Sequence, residues 1–211
     1  MIVKVCGVRE PAIAEAAIDA GADWLGLVLE PRSVRYVDDD AARRVVDAVH
    51  GRADLIGVFV EPSAAQCDEA AERYRLAGVQ VHGNVPLELA TLCHVPVIRG
   101  YNMPTLADAL TLQWWPDCLL LLDSPAVDGG LPGGTGRRID LDVAAEVASH
   151  RRVILAGGLG PDDVADAIQV VRPEGVDASS KLESTPGVKD AHLVRQYVQH
   201  ARAALDTGDG R

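Results

Sequence analysis

The stretch VILAGGLGPDDVADAIQVVRPEGVDASS, Val153 to Ser180, reads as one β–α–β unit and sets the plan for the rest of the chain. Apolar runs begin at Val153 and again at Gly175. Between them Val164, Ala167, Ile168 and Val171 fall at i, i+3, i+4 and i+7, so they share one face of a helix. Pro161 suits the first helical position, Asp162 and Asp163 favour the positive end of the helix dipole, and Pro173 stops the helix.

The same unit recurs towards the N-terminus. Further apolar runs begin near Ile2, Trp24, Asp54, Gly78, Val97 and Cys118, at a mean spacing of about 25 residues, the size of a minimal strand-plus-helix unit. Cys118 to Leu122 is apolar without a break, as expected of a parallel strand covered on both faces. Ala42, Val45, Val46 and Val49 repeat the helical pattern before Gly51, and Leu193, Tyr197, Ala201 and Ala204 line a last helix. The tail Asp206 to Arg211 is expected to fray. Eight strands alternating with helices fit an open doubly wound sheet or a closed α/β barrel. Strict alternation at even spacing favours a single-domain (β/α)8 TIM barrel over residues 1–211.

Composition removes several classes. The 211 residues are 48% hydrophobic with a formal net charge of −11, which suits a globular protein and argues against a nucleic-acid partner, which would call for a basic face. Cys6, Cys67, Cys93 and Cys118 form no CxxC or CxxH pair, so no metal site is expected. No apolar stretch approaches membrane-span length and the N-terminus does not resemble a signal peptide, so the expected setting is a reducing cytoplasm, with no membrane partner.

In a barrel the chemistry sits at the C-terminal ends of the strands. Gly157-Gly158-Leu159-Gly160-Pro161 follows strand seven, and Ser179 and Ser180 follow strand eight; small residues and hydroxyls there suit a phosphate group. Cys6 ends strand one, as either a buried small hydrophobe or a reactive thiol. Asp123 follows five apolar residues, as either a pocket acid or a turn cap. Arg35, in the loop after strand two, pairs either with an anionic substrate group or with one of Asp38, Asp39 and Asp40. His82 makes either core hydrogen bonds or ligand contacts. Gly129 to Gly136 is either a lid or a slack connection, and Trp114-Trp115 covers helix and strand surface.

Over nearly its whole length the chain resembles the phosphoribosylanthranilate isomerases. The motifs are VKVCG (3–7), PRSVRY (31–36), GVF (57–59), VQVHG (79–83), LD (122–123), GGTG (133–136), AGGL (156–159), VDASS (176–180) and PGVKD (186–190). That resemblance implies an Amadori rearrangement of N-(5-phosphoribosyl)anthranilate, in tryptophan biosynthesis, with no cofactor. It implies that Asp123 is the general acid and Cys6, as thiolate, the general base. Arg35 would bind the anthranilate carboxylate, His82 and Asp177 would contact the ribose or support the site, and Gly157, Gly158, Ser179 and Ser180 would hold the phosphate. The partner is then a phosphorylated small molecule, and the chain a monomer or homodimer. Departures from the family pattern include Lys181 where glycine is common, Glu61 for asparagine, Leu27 and Leu29 for aromatics, and Ile139 and Leu141 beside Asp140. Other readings are a histidine-pathway or dual-substrate isomerase, whose relatives carry aspartate at the place of Cys6, and a non-catalytic sugar-phosphate-binding barrel.

Overall fold

A computed structural model describes residues 1–102, 118–124 and 139–206. Eight parallel strands close into a barrel in sequence order, β1 (Ile2–Cys6), β2 (Trp24–Val28), β3 (Asp54–Val60), β4 (Gly78–His82), β5 (Val97–Asn102), β6 (Leu119–Asp123), β7 (Val153–Leu155) and β8 (Gly175–Ala178). The β1–β8 pairing, Ile2 opposite Gly175 through Val5 opposite Ala178, closes the ring. The open-sheet alternative is thereby set aside. The helices among the described residues are α1 (Pro11–Asp19), α2 (Asp39–Val49), α3 (Ala64–Tyr74), α4 (Leu89–Leu92), α5 (Leu141–His150), α6 (Val164–Val171) and α7 (Ala191–Asp206).

Strand side chains alternate between two cores, as a period of two requires. Val3, Val5, Leu25, Leu27, Val79, Val81, Leu120, Leu122, Val153 and Leu155 pack outward against the helices. The alternate positions fill the barrel. Ile56, Ile98, Leu121, Ile154 and Ala156 make an apolar layer, and Cys6, Val28 and Val58 cluster apart from it. Helix starts are fixed locally. Asp38 caps α2, accepting from the Ala41 N–H, Ser63 and Gln66 form a capping box on α3, and Asp140 caps α5.

One expectation shifts. Pro161 does not open the helix after strand seven; α6 starts at Val164 with Asp163 as its N-cap. The Gly160 N–H donates to Asp163 Oδ1 at 2.7 Å, folding the intervening residues into a turn. The last helix runs through Asp206; residues 207–211, on which the expected fraying falls, the Gly129–Gly136 loop and Trp114-Trp115 lie outside the described residues. One element has no counterpart in the sequence reading. After β8 a short 3-10 helix (Ser180–Leu182) leads into a hairpin of β9 (Glu183–Thr185) and β10 (Val188–Lys189), turned at Gly187 with φ +84°.

Candidate active site

A cavity of about 380 Å³ opens at the C-terminal ends of the strands, and all nine residues singled out from the sequence line it. Cys6 ends β1 and Asp123 ends β6, with β7 and β8 between them around the wall. Both side chains are buried.

Beneath Cys6 lies a charge. Lys4, two residues earlier on the same inward face of β1, is fully buried. Its ammonium donates to Asp177 Oδ2 at 3.0 Å, across the register pair Lys4–Asp177 of β1 and β8, and its charge favours the ionised form of Cys6. Burial alone would favour the neutral amine, but Asp177 and then Cys6 outweigh it and raise the Lys4 pKa. Burial pushes the Cys6 thiol up, against the pull of Lys4 and Lys189. That balance favours the neutral thiol over the thiolate. Asp177 Oδ1 is buried with no hydrogen-bond partner among the described residues.

On β4, Gln80 and His82 face inward together. Gln80 Nε2 stands 2.7 Å from His82 Nε2. An amide nitrogen can only donate, so His82 Nε2 accepts and the ring proton sits on Nδ1. Burial, with Arg99 and Lys4 nearby, lowers the His82 pKa to about 3, keeping the ring neutral. His82 Nδ1 and Gln80 Oε1 have no hydrogen-bond partner among the described residues. The ring lies flat against Gly100 of β5, where a Cβ would stand 2.4 Å from His82 Cε1. The histidine is thus both a core hydrogen-bonder and a cavity wall.

Arg35 does not pair with Asp38, Asp39 or Asp40. Asp38 caps α2, and Asp39 is held by Arg43, Arg73 and Tyr74. The guanidinium instead meets Glu183 of the hairpin, Nε to Oε1 at 2.7 Å and Nη2 to Oε2 at 3.0 Å. Glu183 also accepts from Lys189 Nζ at 2.6 Å and from the Gly187 N–H at 3.1 Å. Burial would raise its carboxyl, but Arg35 and Lys189 prevail and lower it. Lys189 Nζ continues to Ser179 Oγ at 3.3 Å, and the Ser179 hydroxyl donates to the Cys6 carbonyl at 3.1 Å. That hydroxyl is already engaged by the wall beside Cys6.

Gly157 and Gly158 sit at φ +86° and +70°, conformations that favour residues without a Cβ. A Cβ at Gly157 would come within 2.8 Å of the Ser124 nitrogen and 3.3 Å of Asp123 Oδ1, so the small residue lets the strand-seven loop close onto the acid. Asp123 Oδ1 accepts from the N–H of the next residue, Ser124, at 2.7 Å, while the carboxyl lines the cavity.

Lys4, Gln80, Glu183 and Lys189 escaped the sequence reading, as did the packing roles of Gly26 and Gly100. One signal was available. A lysine inside an apolar strand whose neighbours point outward must be buried, and a buried ammonium demands a partner.

Among the described residues, no helix is long and apolar enough to cross a membrane, and no group of three or more potential metal ligands occurs. A family model for N-(5'-phosphoribosyl)anthranilate (PRA) isomerase matches residues 3–200. An N-(5'-phosphoribosyl)anthranilate isomerase of Roseiflexus castenholzii is 42% identical, covering 97% of this chain and 99% of its own. Another, of Trichlorobacter lovleyi, is 35% identical, covering 96% and 98%. The phosphoribosyl anthranilate isomerase structure of Thermus thermophilus is similar at a TM-score of 0.86 and 32% identity, covering 96% of this chain and 99% of that one. A phosphoribosyl anthranilate isomerase in complex with reduced 1-(o-carboxyphenylamino)-1-deoxyribulose 5-phosphate gives 0.85 and 29%, covering 96% and 100%.

Proposed function

The chain belongs to the N-(5'-phosphoribosyl)anthranilate isomerase family, and we propose that Asp123 and Cys6 carry out its acid and base steps. The activity is the Amadori rearrangement of N-(5'-phosphoribosyl)anthranilate to 1-(2-carboxyphenylamino)-1-deoxyribulose 5-phosphate in tryptophan biosynthesis. The observation that carries the assignment is the opening of both groups onto one cavity from separate parts of its wall.

Asp123 gives its proton to the ribose ring oxygen as the C1–O bond breaks, leaving an iminium between C1 and the anthranilate nitrogen. Cys6 Sγ takes the proton from C2. The C2–H electrons form the C1–C2 double bond, and the C1–N pair returns to nitrogen. The enolamine then tautomerises to the aminoketone. Cys6 gives up its own proton to solvent before it takes the one from C2; the iminium charge both favours that thiolate and acidifies the adjacent C–H. This chemistry calls for no cofactor.

Arg35 reads the anthranilate carboxylate. Glu183 occupies the Nε–Nη2 edge and leaves the outer edge of the guanidinium for the substrate. The buried, unpartnered His82 Nδ1–H and Asp177 Oδ1 serve ribose hydroxyls as donor and acceptor. Gly157, Gly158, Ser179 and Ser180 take the phosphate on backbone N–H groups. The protein works in the cytoplasm as a monomer or homodimer. A crystal soaked with product tests the arrangement. The phosphate is expected at the Gly158 and Ser180 amides and the carboxylate at Arg35. A product lying with its phosphate elsewhere in the cavity contradicts it.

A further inference from the structure

Arg35 lines the cavity, and it already carries a carboxylate. Glu183 takes its Nε and Nη2 donors at 2.7 and 3.0 Å, with a side chain only 3% exposed. For a site that worked by attraction this is the wrong neighbour, because an anion beside a cation weakens the pull on an incoming anion. Among the described residues Arg35 Nη1 makes no hydrogen bond, so one edge of the fork stays open. The remaining contacts hold the side chain still. Its stem lies against Gly7, where a Cβ would stand 3.0 Å from Arg35 Cδ. Its backbone N–H donates to Ser33 Oγ at 3.1 Å. Arg9 Nη1 braces the same loop on the hairpin, donating to the carbonyls of Val34 and Gly187 at 3.3 and 3.4 Å. Glu183 is fixed in turn by Lys189 Nζ and the Gly187 N–H.

We propose that Glu183 is a positioning residue that sets substrate specificity: it weakens the charge of Arg35 but fixes the plane of the guanidinium, so that the open Nη1–Nη2 edge selects substrates bearing an aryl carboxylate. This rests on the reading of Arg35 as the group that binds the anthranilate carboxylate. A loose arginine must order its torsions before it can make two parallel N–H···O bonds, whereas one held by Glu183 is ordered when the protein folds. Arg35, Lys189 and Glu183 together hold two positive charges and one negative, linked by bonds of 2.6 to 3.0 Å. Removing the negative one raises the positive charge facing the substrate and frees the guanidinium to turn. Attraction and direction therefore predict opposite outcomes for the same substitution.

The test is a ratio, kcat/KM for N-(5'-phosphoribosyl)anthranilate over kcat/KM for the analogue made from aniline, measured in the whole enzyme. Both substrates carry the ribose and the phosphate, so the ratio isolates the carboxylate, and a general loss of packing or chemistry cancels. Glu183→Gln keeps the size of the side chain, but its amide nitrogen cannot accept a hydrogen bond from the guanidinium. The ratio should fall roughly ten- to hundred-fold, the worth of a charge-assisted contact, chiefly through KM for the anthranilate substrate. Glu183→Gln also leaves Arg35 and Lys189 without their shared anion. If it does not fold, Glu183→Gln/Lys189→Met, set against Lys189→Met alone, repeats the comparison without the surplus charge. An unchanged ratio overturns the proposal and leaves Glu183 as a brace of the hairpin. A ratio that rises overturns it too, since Arg35 would then act by a charge that Glu183 only weakens. In Arg35→Ala the ratio should already be low; a wild-type ratio there removes the reading of Arg35 itself, whatever Glu183→Gln shows.

Discussion

The guanidinium of Arg35 lies edge to edge on the carboxylate of Glu183, with nitrogen–oxygen distances of 2.7 and 3.0 Å, and the arginine side chain is only 14% exposed. Residues 148 positions apart in sequence thus fix the direction of one cavity wall. Glu183 binds Lys189 and the Gly187 amide at the same time, so the hairpin after β8 clamps the loop after β2. A carboxylate bound to Arg35 would meet a guanidinium already locked in direction.

Arg35→Lys keeps the charge but loses the fork. It should raise KM and lower turnover, since the ribose would shift between Cys6 and Asp123. The comparison that isolates carboxylate recognition uses a substrate with aniline in place of anthranilate. Wild type should lose far more kcat/KM with that analogue than Arg35→Ala does. Equal losses would leave Arg35 as a partner of Glu183 and nothing more.

Much of the barrel is legible in the sequence because parallel strands covered on both faces are continuous apolar runs; seven of the eight strands begin at the residue where the run begins. The β9–β10 hairpin is not, because Glu183-Ser184-Thr185 and Val188-Lys189 are too short and polar to show a period. The cavity residues were legible by position, as the polar residues just past each run. Their partners were not. Asp38 to Asp40 are near Arg35 in sequence but committed to α2 and α3, whereas the carboxylate it meets arrives from the far end of the chain. The Lys4–Asp177 pair spans 173 positions and follows only from barrel closure.

His82 makes stability sensitive to acid. Its pKa is lowered to about 3 in the fold, against ~6.5 in the unfolded chain. Between these values the unfolded chain binds the extra proton, so stability falls as pH falls through 6.5. From pH 7 to pH 5 this single group should cost about 2 kcal/mol. Urea unfolding at the two pH values measures it, and His82→Gln should show a smaller drop than wild type by about that amount. An identical drop in both would mean that His82 is protonated in the fold.

Gly26 faces Cys6 across the β1–β2 register, where a Cβ would stand 2.8 Å from Sγ and 3.1 Å from Cα. Gly26→Ala should cost ~1–3 kcal/mol of stability through overpacking. Turnover should suffer more, by about a hundredfold, because displacement of Sγ by a fraction of an ångström misaligns it with C2. A folded Gly26→Ala protein with wild-type kcat would show that the sulfur's position is not critical.

The division of labour between Cys6 and Asp123 is tested most directly by following the fluorescence of freshly prepared N-(5'-phosphoribosyl)anthranilate with wild type, Cys6→Ala and Asp123→Asn. Wild type should convert it. Each variant should lose ~10²–10⁴-fold or more in kcat, as removal of a general acid or base does, while unfolding cooperatively and binding product. Near-normal turnover in a folded Cys6→Ala or Asp123→Asn protein would contradict the role given to that residue.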